Sequence, residues 1–178
     1  MKKRLILILI VILTIASTYA LVKYIRMDGF SFAWALNFLL MLGVVVFTET
    51  LKSPLTSSYY NEKEWERGGK IYEALGINFF RKLLVGIGWE RLNKKSNPVK
   101  NNSGALMHLR DQTKKSELGH LIILFIVLGF NIFVACQFGV LKSLWLLILN
   151  VLLNLYPIFL QRYNRPRIER AINLSKRR

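Results

Sequence analysis

Residues 121–160 read LIILFIVLGFNIFVACQFGVLKSLWLLILNVLLNLYPIFL, forty positions that carry a single charge, Lys142. The runs on either side of it, 121–140 and 143–160, are each of the length a helix needs to cross the hydrocarbon of a bilayer, about 17–25 residues. Neither has the polar face of a soluble amphipathic helix. Two earlier runs, 5–22 and 30–47, are equally free of Asp, Glu, Lys and Arg. The expected fold is therefore all-α: one polytopic membrane domain over 1–178 with about four transmembrane helices. Between helices two and three, residues 49–120 form an amphipathic cytosolic or interfacial segment, and 161–178 form a basic cytosolic tail. The first run admits a second reading. Lys2-Lys3-Arg4, an apolar stretch and Ser17-Thr18-Tyr19-Ala20 also suit a secretory signal cleaved after Ala20.

Composition agrees with that class. The 178 residues carry 26 Lys+Arg against 10 Asp+Glu, a net charge of +16, yet are 53% hydrophobic. So much apolar surface excludes disorder, and a lone cysteine, Cys136, excludes a disulfide scaffold. The basic residues are distributed unevenly. Twenty-three lie in the N-terminus, the 49–120 segment and the tail, against three in the two remaining loops, Lys23, Arg26 and Lys142. By the positive-inside rule both termini and the long segment are cytoplasmic, in a multi-pass protein of the cell membrane. No basic run is interleaved with aromatics as a nucleic-acid stacking platform requires, so no nucleic-acid partner is expected. The charge is mostly topology and lipid-headgroup contact.

Within the long segment, Trp65, Ile71, Tyr72, Leu75, Phe79, Leu83 and Leu84 recur at helical spacing among Lys70, Glu73, Arg81 and Lys82, with breaks at Gly68-Gly69 and Gly76. Such a stretch either lies in the membrane interface or packs on the rest of the chain. Gly68-Gly69-Lys70 lacks the spacing of a phosphate loop. Residues 93–104, NKKSNPVKNNSG, read as a polar loop.

Polar residues inside apolar spans are costly and turn inward. His120 and Asn131 are eleven residues apart and so nearly aligned on one face, with Glu117 one turn before His120. In the last span Ser143, Asn150, Asn154 and Gln161 share a face. Counted from His120 and Gln161, Asn131 and Asn150 each lie about 16 Å deep, which predicts two polar stripes facing each other with these asparagines level. Asn131, Asn150 and Asn37 also suit plain interhelical hydrogen bonding. His120 has three readings: general base with Glu117 as its orienting group, structural or headgroup contact, and metal ligand. The last needs a second Glu-x-x-His that the chain lacks, so no metal site is expected. His108 has no nearby partner. Cys136 reads as a buried structural thiol, and no Gly-x-Ser-x-Gly elbow exists.

Pro157 interrupts the last helix. Beyond it Gln161, Arg162, Asn164, Arg165 and Arg167 form a dense set of amide and guanidinium donors, of a kind that suits phosphate as well as simple anchoring. The run Gln161-Arg162-Tyr163-Asn164-Arg165-Pro166-Arg167, with Asn154-Leu155-Tyr156-Pro157 before it, resembles the C-terminal motif of the glycosyl-4,4′-diaponeurosporenoate acyltransferases, small membrane proteins of bacterial carotenoid synthesis. Thr113-Lys114-Lys115-Ser116-Glu117-Leu118-Gly119-His120 resembles the same family's Thr-Lys-Arg-Ala-Glu-Leu-x-His. The resemblance covers about Gly69 to Arg178.

That resemblance implies transfer of a fatty acyl group from a cytosolic thioester, acyl-CoA or acyl-carrier protein, to a sugar hydroxyl of a carotenoid glycoside or related membrane glycolipid. No cofactor beyond that co-substrate is implied. His120 and Glu117 would then be base and orienting carboxylate. Asn154, Gln161 and Asn164 would be donors to the oxyanion, and Arg162, Arg165 and Arg167 would bind the donor's phosphates or an acidic carrier. With no credible nucleophile, transfer would be direct. Two alternatives stand beside it: a non-catalytic membrane scaffold that binds lipid, and a different transferase or reductase acting on an isoprenoid lipid.

Overall fold

The computed structural model describes residues 2–51, 53–89 and 103–176, and the regular structure among them is all helical, without strands. Four of the helices are long and apolar enough to cross a membrane, at Lys2–Tyr24, Phe30–Leu51, Ser103–Phe138 and Val140–Ser175. The protein is a multi-pass membrane protein. Two compact units divide the chain, one of Met1–Pro54 with Leu118–Leu155, the other of Leu55–Glu117 with Tyr156–Arg178.

In the first unit, α1 (Lys2–Tyr24) and α2 (Phe30–Leu51) form an antiparallel hairpin. Their approach is close because position 43 has no side chain: a Cβ on Gly43 would stand 2.5 Å from the Thr14 hydroxyl. Small residues at such crossings let helices pack where lipid provides no hydrophobic drive. α2 then presents Phe32, Ala33, Leu36, Leu40 and Val44 to Ile123, Val127 and Val134 of α5 (Ser103–Phe138) and to Leu146 and Leu149 of α6 (Val140–Asn150). α1 buries nothing fully: Leu21 and Val22 pack against this cluster, while most of its other Leu, Ile and Val side chains stay on the outer surface, as lipid-facing residues do. One end of the unit holds Lys3, which donates to the Leu51 carbonyl at 2.7 Å. At the other end Asp28 meets Lys142 at 3.4 Å and Arg26 at 3.1 Å, so the two short turns are neighbours.

The α5–α6 turn is tighter than the sequence reading placed it. Gly139, at φ 95°, is the only residue between the two helices, so the spans end at Phe138 and begin at Val140 rather than at 140 and 143. This resets the register. Asn131 donates to the Ser143 carbonyl at 2.8 Å and Asn150 to the Leu124 carbonyl at 3.0 Å. Both asparagines turn inward as expected, yet they are not level: seven residues, about 10 Å, separate them along the hairpin. Each clasps the backbone of the opposite helix. Cys136 is exposed on α5 beside Ile132 and Phe133, which corrects its reading as a buried thiol.

In the second unit the breaks fall where the glycines predicted. A 3₁₀ turn over Glu64–Gly69 leads into α3 (Lys70–Ala74), and α4 (Ile77–Gly86) follows Gly76. Gly69 is at φ 89°, and a Cβ there would meet the Tyr163 carbonyl at 3.1 Å and Arg167 at 3.0 Å. Only glycine fits both the backbone angle and the space. Tyr72, Ile77 and Phe80 bury against Tyr163, with Tyr156, Phe159 and Leu160 around them, on α7 (Tyr156–Ser175). Leu75, Phe79 and Leu83, spaced four apart, remain exposed as an apolar ridge. Of the polar loop expected at 93–104, residues 93–102 lie outside the described residues.

Candidate functional site

Between α6 and α7 the helix widens into a π-turn over Val151–Leu155, just ahead of Pro157. Pro157 has no N–H for the carbonyl four residues back, that of Leu153, and a wider turn is a common way for a helix to pass such a gap. The π-turn carries Asn154, buried to 2% exposure. Its Oδ1 lies 3.4 Å from Nδ1 of His120 on α5. The Asn154 amide nitrogen donates to Oδ1 of Asn37 on α2 at 2.7 Å and to Oδ1 of Asn150 on α6 at 2.9 Å. Asn37 in turn donates to the Ala33 carbonyl at 2.8 Å. Three buried amides and a histidine thus form one connected network in the first unit, at the level where α2, α5 and the π-turn meet. The residue His120 faces is Asn154, where the sequence reading had put Glu117. Both N–H groups of Asn154 have partners, which leaves it none for an oxyanion.

A second polar cluster occupies the other unit. Glu117 is fully buried on α5 and lies between two guanidinium groups. Arg162 Nε donates to its Oε1 at 2.7 Å, and Arg165 makes a very short contact with its Oε2. Arg162 also donates to Glu66 at 2.8 Å and to the Tyr59 carbonyl at 2.9 Å. Arg165 also donates to the Tyr60 carbonyl at 3.0 Å and to Thr113 Oγ1 at 3.2 Å. Each guanidinium therefore engages all three of its nitrogens inside the unit, and neither presents a free fork. Tyr59 and Tyr60 lie against them, 4.6 Å from Arg162 and 5.5 Å from Arg165 to the ring centroids. The small depression beside the pair is lined by Glu62, Glu66 and Glu169 as well, more carboxylates than guanidiniums.

Glu66 completes the cluster. Burial works against its charge, but hydrogen bonds from Tyr72 and Arg162 outweigh it and hold the carboxyl below its usual range. Burial and then the Glu66 carboxylate push the Tyr72 phenol up. Arg167 donates to the Tyr163 carbonyl at 2.6 Å and to Glu73 at 3.0 Å, and stacks on the Tyr163 ring at 3.5 Å. Gln161 donates to Ser116 at 3.1 Å. Asn164 is half-buried, and its side chain makes no hydrogen bond among the described residues. His108 is exposed beside Gln112.

Sequence reasoning missed Glu66 and Tyr72 and gave Asn37 only a packing role. Glu66 is one of three glutamates within NEKEWER, and no spacing rule separates it from Glu62 and Glu64. Tyr72 was hidden in an apolar stripe. Asn37 did carry a signal, an amide within a span, but not the identity of its partner.

Comparison with known proteins adds one finding. A family model described as glycosyl-4,4′-diaponeurosporenoate acyltransferase matches residues 56–174. No curated protein and no solved structure matches the chain.

Proposed function

The chain belongs to the glycosyl-4,4′-diaponeurosporenoate acyltransferase family, and from that premise we propose that it esterifies a sugar hydroxyl of a carotenoid glycoside or related glycolipid. The acyl group comes from a cytosolic thioester and passes directly to the acceptor. The observation that carries the chemistry is the His120–Asn154 pair, an imidazole fixed on one nitrogen inside a membrane unit.

In this reading His120 takes the proton of the sugar hydroxyl as its oxygen attacks the thioester carbonyl. The tetrahedral intermediate then collapses. The carbon–sulfur bond breaks, an ester bond remains, and the imidazolium returns its proton to the departing thiolate. Of the three sequence candidates for oxyanion donor, Asn154 holds the base, while Gln161, which donates to Ser116, and Asn164 belong to the second unit. Glu117, Arg162 and Arg165 hold α5 and α7 in register through their mutual charges, and exposed cations of the tail such as Arg170 receive the donor's phosphates. The termini and the second unit face the cytoplasm, where the thioester is made.

Replacing His120 by Ala is expected to abolish product while leaving protein level and helicity unchanged. Lipid mass spectrometry of a deletion strain complemented with either form reads this out, as loss of the fatty-acyl mass from the acceptor. Near-normal product from the variant would remove His120 from the mechanism. A deletion strain lacking a methyl group or two hydrogens instead would replace acyl transfer by another reaction.

A further inference from the structure

The amide network around His120 has only one consistent hydrogen-bonding pattern. The carbonyls of Ala33 and Leu124 can only accept. Asn37 and Asn150 must therefore turn their nitrogens toward them, at 2.8 and 3.0 Å. That leaves both Oδ1 atoms pointing at Asn154, whose nitrogen donates to the two of them. Its own Oδ1 is then the atom facing His120 Nδ1. An amide oxygen cannot donate, so across this contact the ring nitrogen is the donor. The proton of the neutral imidazole is accordingly on Nδ1. Amide orientations that are normally a matter of assignment are here forced by two backbone carbonyls.

We propose that Asn37 and Asn150 are positioning residues of this enzyme: through Asn154 they hold His120 as its Nδ1–H tautomer, leaving the Nε2 lone pair to take the acceptor's proton. The proposal rests on the reading of His120 as the base. It gives two transmembrane asparagines, from helices α2 and α6, a task beyond holding helices together. The partner that sets which ring nitrogen is protonated is a determinant of histidine chemistry, as carboxylates are in metal sites and triads. In a membrane interior the carboxylate's place is taken by an uncharged amide, which avoids burying an ion.

The chain has only two histidines, so His108→Gln leaves His120 as a single reporter. In nanodiscs with 15N-labelled histidine, at a pH where the ring is neutral, His120 is expected as Nδ1–H. An Nε2–H ring in this otherwise intact protein overturns the proposal without recourse to any variant. The paired substitution Asn37→Leu with Asn150→Leu removes both acceptors of Asn154, and the ring should pass to Nε2–H or a mixture. Turnover should fall about tenfold to a hundredfold, in kcat more than in KM. Asn37→Asp with Asn150→Leu is the control for folding. A buried aspartic acid is protonated, so its hydroxyl donates to Ala33 and its carbonyl oxygen accepts from Asn154, restoring the Nδ1–H form. A paired variant that keeps Nδ1–H sinks the relay. A variant whose tautomer changes while product is unaffected leaves the relay standing and instead removes His120 as the base.

Discussion

Glu66 and Glu117 are both nearly inaccessible, at 3% and 0% exposure, and each is held by a guanidinium at normal ion-pair distance. Burying such ions is costly, and the cost is offset only while every partner is in place. Removing one side of a buried pair typically costs about 3–5 kcal/mol, because the other charge is left without compensation. The pH dependence of stability follows from Glu66, whose carboxyl is held below its usual value. The folded state then binds fewer protons than the unfolded one. Its contribution is complete above about pH 4.5, the ordinary carboxylate value, and is lost as pH falls through the folded value. Thermal melts of the detergent-solubilised protein should therefore drop in midpoint below that pH. Glu66→Gln should lower the midpoint at pH 7 and flatten its acid dependence; an unchanged slope would assign the acid sensitivity to other carboxylates. His120 itself was legible from sequence as a histidine beside a carboxylate, but its partner was not. The i,i+3 rule reaches only neighbours on the same helix, whereas Asn154 arrives from a helix 34 residues later.

At the level of elements, the four spans and the glycine breaks could be read from hydropathy and composition, because each is a local property. Register could not. The pairs 131–143, 124–150 and 120–154 all follow one antiparallel register centred on residue 137. That centre depends on how few residues the turn at Gly139 uses, a property of one backbone angle that hydropathy does not encode. The same holds for the π-turn: Pro157 announces an interruption, but not whether the helix kinks or widens. Gly69 is a sharper case. Its positive φ and the 3.1 Å approach of the Tyr163 carbonyl predict that Gly69→Ala costs the second unit about 1–3 kcal/mol. Gly88, also at positive φ but with nothing among the described residues near its Cβ position, separates the two contributions. Gly88→Ala carries only the backbone strain and should shift the melting midpoint less. Equal shifts for the two variants would mean that the contact with α7 contributes nothing.

For the molecule as a whole the decisive quantity is the placement of charge along the chain. Lys2, Lys3 and Arg4 stand at one end of the first unit, where Lys3 reaches the end of α2. At the other end Asp28 meets Arg26 and Lys142, which lowers the small positive charge of the two short turns further. Twenty-three basic residues against three is the kind of asymmetry that sets orientation during insertion. The consequence is testable with the chain's own lone cysteine removed by Cys136→Ser. A thiol at Lys142→Cys gives up one ion pair of a half-exposed lysine and leaves Asp28 its Arg26 partner, and it should react with a membrane-impermeant maleimide on intact cells. A thiol at Lys176→Cys should react only after the membrane is opened. The reverse pattern would put the tail and its cations on the outer face, where no acyl thioester is made, and the donor proposed for this enzyme would have to be a lipid already within the membrane.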